Sequence, residues 1–228
     1  AEDQYLVGGT SQVQFTVRTY LSISATYSPD PPRTGDPLEV NLSVDDDFGQ
    51  GVSGLSLTIL AFDPSGLPVK LGTFSNSISL PISDGSGAFE FRPSGTGLYS
   101  LEFSCSGNSL FHQVYEQTQV IVYSLTELTM VRCDTDLEVG GSLTLVARLS
   151  DYLERSLTEK TVRLYLDGPG SNGIGPLLLI TNASGHITWT GTVSEEGSWS
   201  VDLSFEGIGV YLPASVSQVA DVRYGTVL

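Results

Sequence analysis

Reactive side chains are scarce in this chain. Its 228 residues include two histidines, two cysteines and two lysines, Lys70 and Lys160. Nucleophilic catalysis needs an activated serine or cysteine beside a base, and His112 and His186 are the only imidazoles on offer. Cys105 lies shortly before His112, but it continues the apolar phase of Leu101 and Phe103, which favours a buried, inert thiol over a dyad. His186 opens a strand after a turn, a surface position. No catalytic residue is expected, and the chain is read as non-enzymatic. Two cysteines are too few for a disulfide scaffold and lack the paired spacing that suits zinc. Cys105 sits inside the first half of the chain and Cys133 at the opening of the second, so both are expected to be free.

Positive charge is short as well. Ten basic residues face 26 acidic ones, a formal net charge of −16, and such a field repels nucleic-acid phosphates and anionic lipid head groups. No run approaches the roughly 18 apolar residues of a membrane-spanning helix, and residues 1–10 lack a basic-then-apolar signal pattern. Neither nucleic acid nor direct membrane insertion is expected of this segment. Apolar residues three and four apart, the mark of a helix, are almost missing too.

What the chain does have is 25 glycines, 11 prolines and an apolar residue at every second position of many short runs, the signature of half-buried strands between turns. The runs repeat. DGSGAFEF (84–91) returns as NASGHITW (182–189), and GLYSLEFSCSG (97–107) returns as GSWSVDLSFEG (197–207), a period of about a hundred residues. Tyr99, Leu101, Phe103 and Cys105 therefore match Trp199, Val201, Leu203 and Phe205. Upstream, Leu38, Val40, Leu42 and Val44 match Leu143, Leu145, Ala147 and Leu149. In the first copy, strands are expected near 21–27, 38–44, 55–62, 69–71, 77–80, 88–92, 98–105 and 115–123.

The closing run occurs three times: TQVIVY from Thr118, SQVADVRY from Ser217, and SQVQFTV from Ser11 near the N-terminus. The simplest account is a segment of a longer array. Residues 1–19 then form the closing strand of a preceding repeat, 20–123 and 124–224 two complete domains, and 225–228 a linker onward. An extra N-terminal strand packed on the first domain's edge is the alternative for 1–19, and a strand that completes a sandwich in another molecule is the third option.

A glycine, an aromatic, three alternating apolar residues, a second glycine and another aromatic before a closing strand make a pattern. It is Gly97, Tyr99, Gly107 and Phe111 in one copy, and Gly197, Trp199, Gly207 and Tyr211 in the other. It resembles the immunoglobulin-like and fibronectin-III-like repeats of prokaryotic cell-surface proteins. The resemblance implies an all-β chain of two tandem Ig-like Greek-key β-sandwich domains. It also implies a structural or adhesive role at the cell surface or outside the cell, as stalk, surface-layer or adhesin repeat. Neighbouring Ig-like domains, other surface proteins or glycans are the partners that fit. The alternative is an accessory or carbohydrate-binding part of a larger secreted enzyme, for which Tyr152, Tyr165 and Trp189 are the candidate aromatic platform. The antibody-type cysteine pair is absent, since Cys105 has no partner near Val40 or Leu42.

No cofactor is expected, with calcium the one ligand worth weighing. Asp134 and Asp136 at the domain junction and Glu195 with Glu196 are the candidate ligands, and Asp45, Asp46 and Asp47 form a further acidic cluster. A solvated acidic surface that keeps the chain soluble is the favoured reading of all of them. Asn41 and Asn182 begin N-x-S sequons and are candidate glycosylation sites.

Overall fold

The structure, a computed structural model, describes residues 17–71, 75–170 and 173–225. Among them there are fifteen strands and no helix. The first half holds β1 (Leu21–Ser28), β2 (Leu38–Asp46), β3 (Leu55–Phe62), β4 (Ser77–Ile82), β5 (Ser86–Phe91), β6 (Gly97–Cys105) and β7 (Val114–Val122). The second holds β8 (Thr126–Cys133), β9 (Asp136–Glu138), β10 (Ser142–Asp151), β11 (Thr161–Asp167), β12 (Ile174–Ile180), β13 (His186–Thr192), β14 (Gly197–Phe205) and β15 (Ala214–Arg223). Period-two alternation drives them: β2 buries Leu38, Val40, Leu42 and Val44 and exposes the residues between.

In the first half, the antiparallel sheet β1-β2-β5 packs on β4-β3-β6-β7. Leu38, Val40 and Phe91 from one sheet meet Leu57, Tyr99 and Leu101 from the other in a single core. In the second half, β13-β10-β8 packs on β12-β11-β14-β15-β9 around Leu145, Leu164, Trp199 and Val201. Each fully buried Leu, Val or Phe contributes about 1.5–3 kcal/mol of transfer free energy, so neither core needs a disulfide. The chain is all-β, two tandem Ig-like Greek-key sandwiches.

The repeat extends to individual hydrogen bonds. The Tyr99 hydroxyl donates to the carbonyl of Gly95, and the Trp199 indole N–H donates to the carbonyl of Glu195, each at 3.1 Å. Gly97 and Gly197 adopt φ of 124° and 131°, and a β-carbon on either would run into Pro64 or Pro169. A side chain is thus excluded there twice, by backbone conformation and by the neighbouring ring.

In both sandwiches the chain crosses from one sheet to the other after its first strand. The crossing brings Arg33 alongside Tyr123 as a parallel bridge in the first sandwich and β9 alongside β15 as a parallel pair in the second. The strand expected at 69–71 does not form. Asp63 accepts the N–H groups of Ser65 and Leu67, the chain folds back on the end of β3, and Val69 donates to Ala61 in a hairpin stub. Residues 1–16 and 226–228, where most of the orphan closing strand and the onward linker are expected, lie outside the described residues. From Thr19 onward the chain docks on the loop after β6: Thr19 donates to Leu110 and accepts from His112, each at 3.0 Å. Ser124 repeats this on the second sandwich with Val210 and Leu212.

Candidate functional site

The polar residues singled out in the sequence are spread over the fold. Asp134 ties two strands together: one carboxylate oxygen accepts the Thr144 N–H at 3.0 Å, and the other takes the Arg132 guanidinium at 3.0 Å. The Thr144 N–H, followed by Arg132, holds this carboxyl below its ordinary range. Asp136 stands on β9, paired with Asp221 of β15. Glu195 and Glu196 lie in the turn before β14, where the Glu195 carbonyl receives Trp199. Among the described residues, no group of three His, Cys, Asp or Glu side chains is gathered tightly enough to hold a metal ion.

Cys105 and Cys133 are free thiols, each half-buried at the margin of its core. Cys105 is thus less enclosed than its phase in the repeat suggests. Burial, with Asp134 beside it, pushes the Cys133 thiol up, away from the reactive thiolate. The His112 ring stacks on Tyr20 with centroids 4.4 Å apart. Asn41 is exposed on β2 between Thr26 and Ala88. The exposed Asn182 accepts the N–H groups of Ser184 and His186 and so builds the turn before β13. Tyr165 lies on β11, Trp189 on β13 of the opposite sheet, and Tyr152 in the loop after β10, so the three aromatics form no common platform.

Two surfaces stand out that the sequence alone did not mark. The first is the junction between the sandwiches. Asp151 accepts the N–H groups of Leu153 and Arg155 and binds the Arg155 guanidinium at 2.7 Å, fixing the loop after β10. That loop presents Tyr152 to the first sandwich: a β-carbon at Gly35 would run into the Tyr152 hydroxyl and ring. The linker joins the contact, since Tyr152 N–H donates to the Ser124 hydroxyl at 3.4 Å.

The second surface is the edge at β12, whose outer side pairs with no other described strand. Its partner bonds alternate: Thr181 N–H donates inward to Lys160, so the N–H groups of Leu179 and Leu177 also face β11 while those of Leu178 and Ile180 face away. Leu178 and Ile180 are 64% and 68% exposed. The corresponding positions on β4, the matching edge of the first sandwich, are Ser79 and Pro81. Each edge carries one proline among its outward residues, Pro81 on β4 and Pro176 on β12, so the side chains make the difference. Beside Leu178, a shallow groove of about 260 Å³ runs past Lys160, Arg163, Glu206 and Ile208. Arg163 pairs with Glu206 there.

No protein-family model and no curated protein sequence matches the chain. Solved structures do. The fibronectin(III)-like modules of Clostridium thermocellum CbhA are 13% identical, aligned over 89% of this chain and 95% of that one with a TM-score of 0.39. The Escherichia coli adhesin FdeC is 20% identical over 89% of this chain, which spans 65% of that one, with a TM-score of 0.43. An I-band fragment of titin is 8% identical over 90% of this chain and 66% of that one, with a TM-score of 0.49.

Proposed function

We propose that the chain is a non-catalytic, adhesive segment of a secreted or cell-surface protein. The first sandwich acts as a spacer, and the second contacts a protein partner through the edge at β12. The observation that carries this reading is the pair Leu178 and Ile180, exposed on an edge strand whose counterpart in the first sandwich presents Ser79 and Pro81. Unpaired edges are normally blunted by proline, charge or polar side chains because they invite another strand. An apolar edge retained in one copy of a repeat and polar in the other fits a surface selected for contact. Its immediate surroundings balance Lys160 and Arg163 against Glu159 and Glu206, so the strong negative charge of the whole chain is locally neutralised where a partner would approach.

Antibodies against this chain are expected to label intact native cells or the culture medium. Labelling only after lysis would overturn the surface assignment. For the edge, the fluorescently labelled chain is applied to native cells or matrix, and the retained signal is compared with that of a Leu178→Ser, Ile180→Thr chain. Central interface residues carry most of the binding energy, so a loss of about tenfold or more is expected. Equal retention would remove β12 as the contact.

A further inference from the structure

The junction between the sandwiches is assembled from parts that recur, and one of them is covered in one sandwich and, among the described residues, uncovered in the other. At Gly35 the chain turns with φ +83°. Gly35 N–H donates to the Pro93 carbonyl at 2.9 Å, and the preceding Thr34 N–H donates to Tyr123 at 2.8 Å, so the turn sits beside the residue where the first sandwich ends. Tyr152 of the second sandwich covers it.

The second sandwich builds the same turn at Gly140, again with φ +83°. Gly140 N–H donates to Val193 at 2.8 Å, and Val139 N–H donates to Arg223 at 2.9 Å, beside the residue that ends β15. Here a β-carbon would meet no described residue within 4 Å. Both turns lie where the chain leaves its sandwich, so whatever follows must start next to them.

The geometry points to Gly140 as the receiving face for a further Ig-like unit joined after Arg223, one that lays an aromatic hydroxyl from its counterpart of the loop after β10 over Gly140, as Tyr152 does over Gly35. The inference rests on the reading of the chain as part of a surface array. The rim narrows the choice of tip. Glu138 stands where the first sandwich has Arg33, and its carboxylate lies 3.2 Å from the position a β-carbon would take on Gly225. With Glu138 two residues before Gly140, an acidic tip is disfavoured there and a neutral phenol is not. Asp47, which occupies the Tyr152 position in the first sandwich and bonds Thr19 and Tyr20 instead, is such a tip.

The test joins a second copy of residues 124–225 directly after Arg223 of the full chain, with isotopic label in the original residues alone. The yardstick is the movement of the Gly35 amide and α-proton resonances when Tyr152→Ala is made in the unextended chain. Gly140 resonances are expected to shift by a comparable amount on extension, and to return when Tyr152→Ala is made in the added copy. A folded added copy that leaves Gly140 unmoved overturns the inference while the array reading stands. The surface assignment on which the inference rests fails separately, on the cell-labelling experiment above. Should the added copy not fold, a second whole chain joined at its Thr19 and carrying Asp47→Tyr replaces it. The same Gly140 shift, missing with Asp47 unsubstituted, supports the inference, and a Gly140 unmoved by the Asp47→Tyr chain overturns it.

Discussion

The two sandwiches solve one problem with different side chains. At the start of β6 and β14 a large aromatic fills the core and must also anchor the turn before it. In the first sandwich the anchor is the hydroxyl of Tyr99, and in the second it is the indole N–H of Trp199. Each donates to the carbonyl of the residue four positions earlier. The requirement is therefore a long, flat, apolar body with a donor at its far end, and either ring meets it. What differs between the copies lies outside the core: the polar edge at β4 against the apolar one at β12, and the turn at Gly35, covered by Tyr152, against that at Gly140, which no described residue covers.

This equivalence can be broken most severely by truncation. Tyr99→Ala and Trp199→Ala each remove a nearly fully buried ring, at an expected cost of about 3–5 kcal/mol. Denaturant unfolding followed separately in each sandwich checks this. The loss is expected in the sandwich that carries the substitution, with the other midpoint unchanged. A subtler change sharpens the comparison. Tyr99→Phe and Trp199→Phe keep an aromatic body and delete the donor to the carbonyl four positions earlier, and Tyr99→Phe also removes the acceptor of the Gly95 N–H; for Tyr99→Phe, which keeps the ring, the expected cost is about 0.5–1.5 kcal/mol. Trp199→Phe adds a volume loss, so it should be the more damaging of the two. The reverse order would refute the shared-anchor account.

The smallest expected effect concerns a feature the copies do not share. Asp134 is tied by Thr144 and Arg132, while the first sandwich has Ser28 opposite Glu39 at that place. Because the folded-state pKa of Asp134 is depressed, its contribution is present above the unfolded carboxylate value and is lost as pH falls through the folded one. Asp134→Asn is therefore expected to lower the stability of the second sandwich at neutral pH and to leave it nearly unchanged at strongly acidic pH. Acid titration of thermal midpoints measures the convergence, and parallel curves would show that the carboxylate contributes nothing.

Most of the architecture could be read from the residues because each strand of the core repeats its apolar phase at the equivalent place in the other copy. β2 and β10, or β6 and β14, declare themselves twice. The parts that escaped are those in which a hydrogen bond, and not a buried side chain, decides. Val69 to Leu71 has the apolar look of a strand, but the Asp63 turn folds it back as a stub. β9 is three residues long and alternates too briefly to be seen, so nothing in the residues announces that Asp136 stands on an edge strand. In β8, an irregularity opposite Val146 and Ala147 shifts the register, and nothing in the run of residues announces it. The surfaces were harder still. In the apolar run 177–180, period-two alternation turns Leu177 and Leu179 to the core and Leu178 and Ile180 outward, but the unbroken apolar run hides that phase, and the contact of Tyr152 with Gly35 joins residues from different domains.

The parallel pairing of each sandwich's crossing segment with its last strand has a mechanical consequence. Tension applied at the two ends of a sandwich pulls these neighbours in opposite directions along a common axis. Their backbone hydrogen bonds lie across that axis and are strained together, as in a lap joint, instead of parting one at a time like a zipper. Resistance to stretching is thereby concentrated where Thr34 meets Tyr123 and where Leu137 meets Val222.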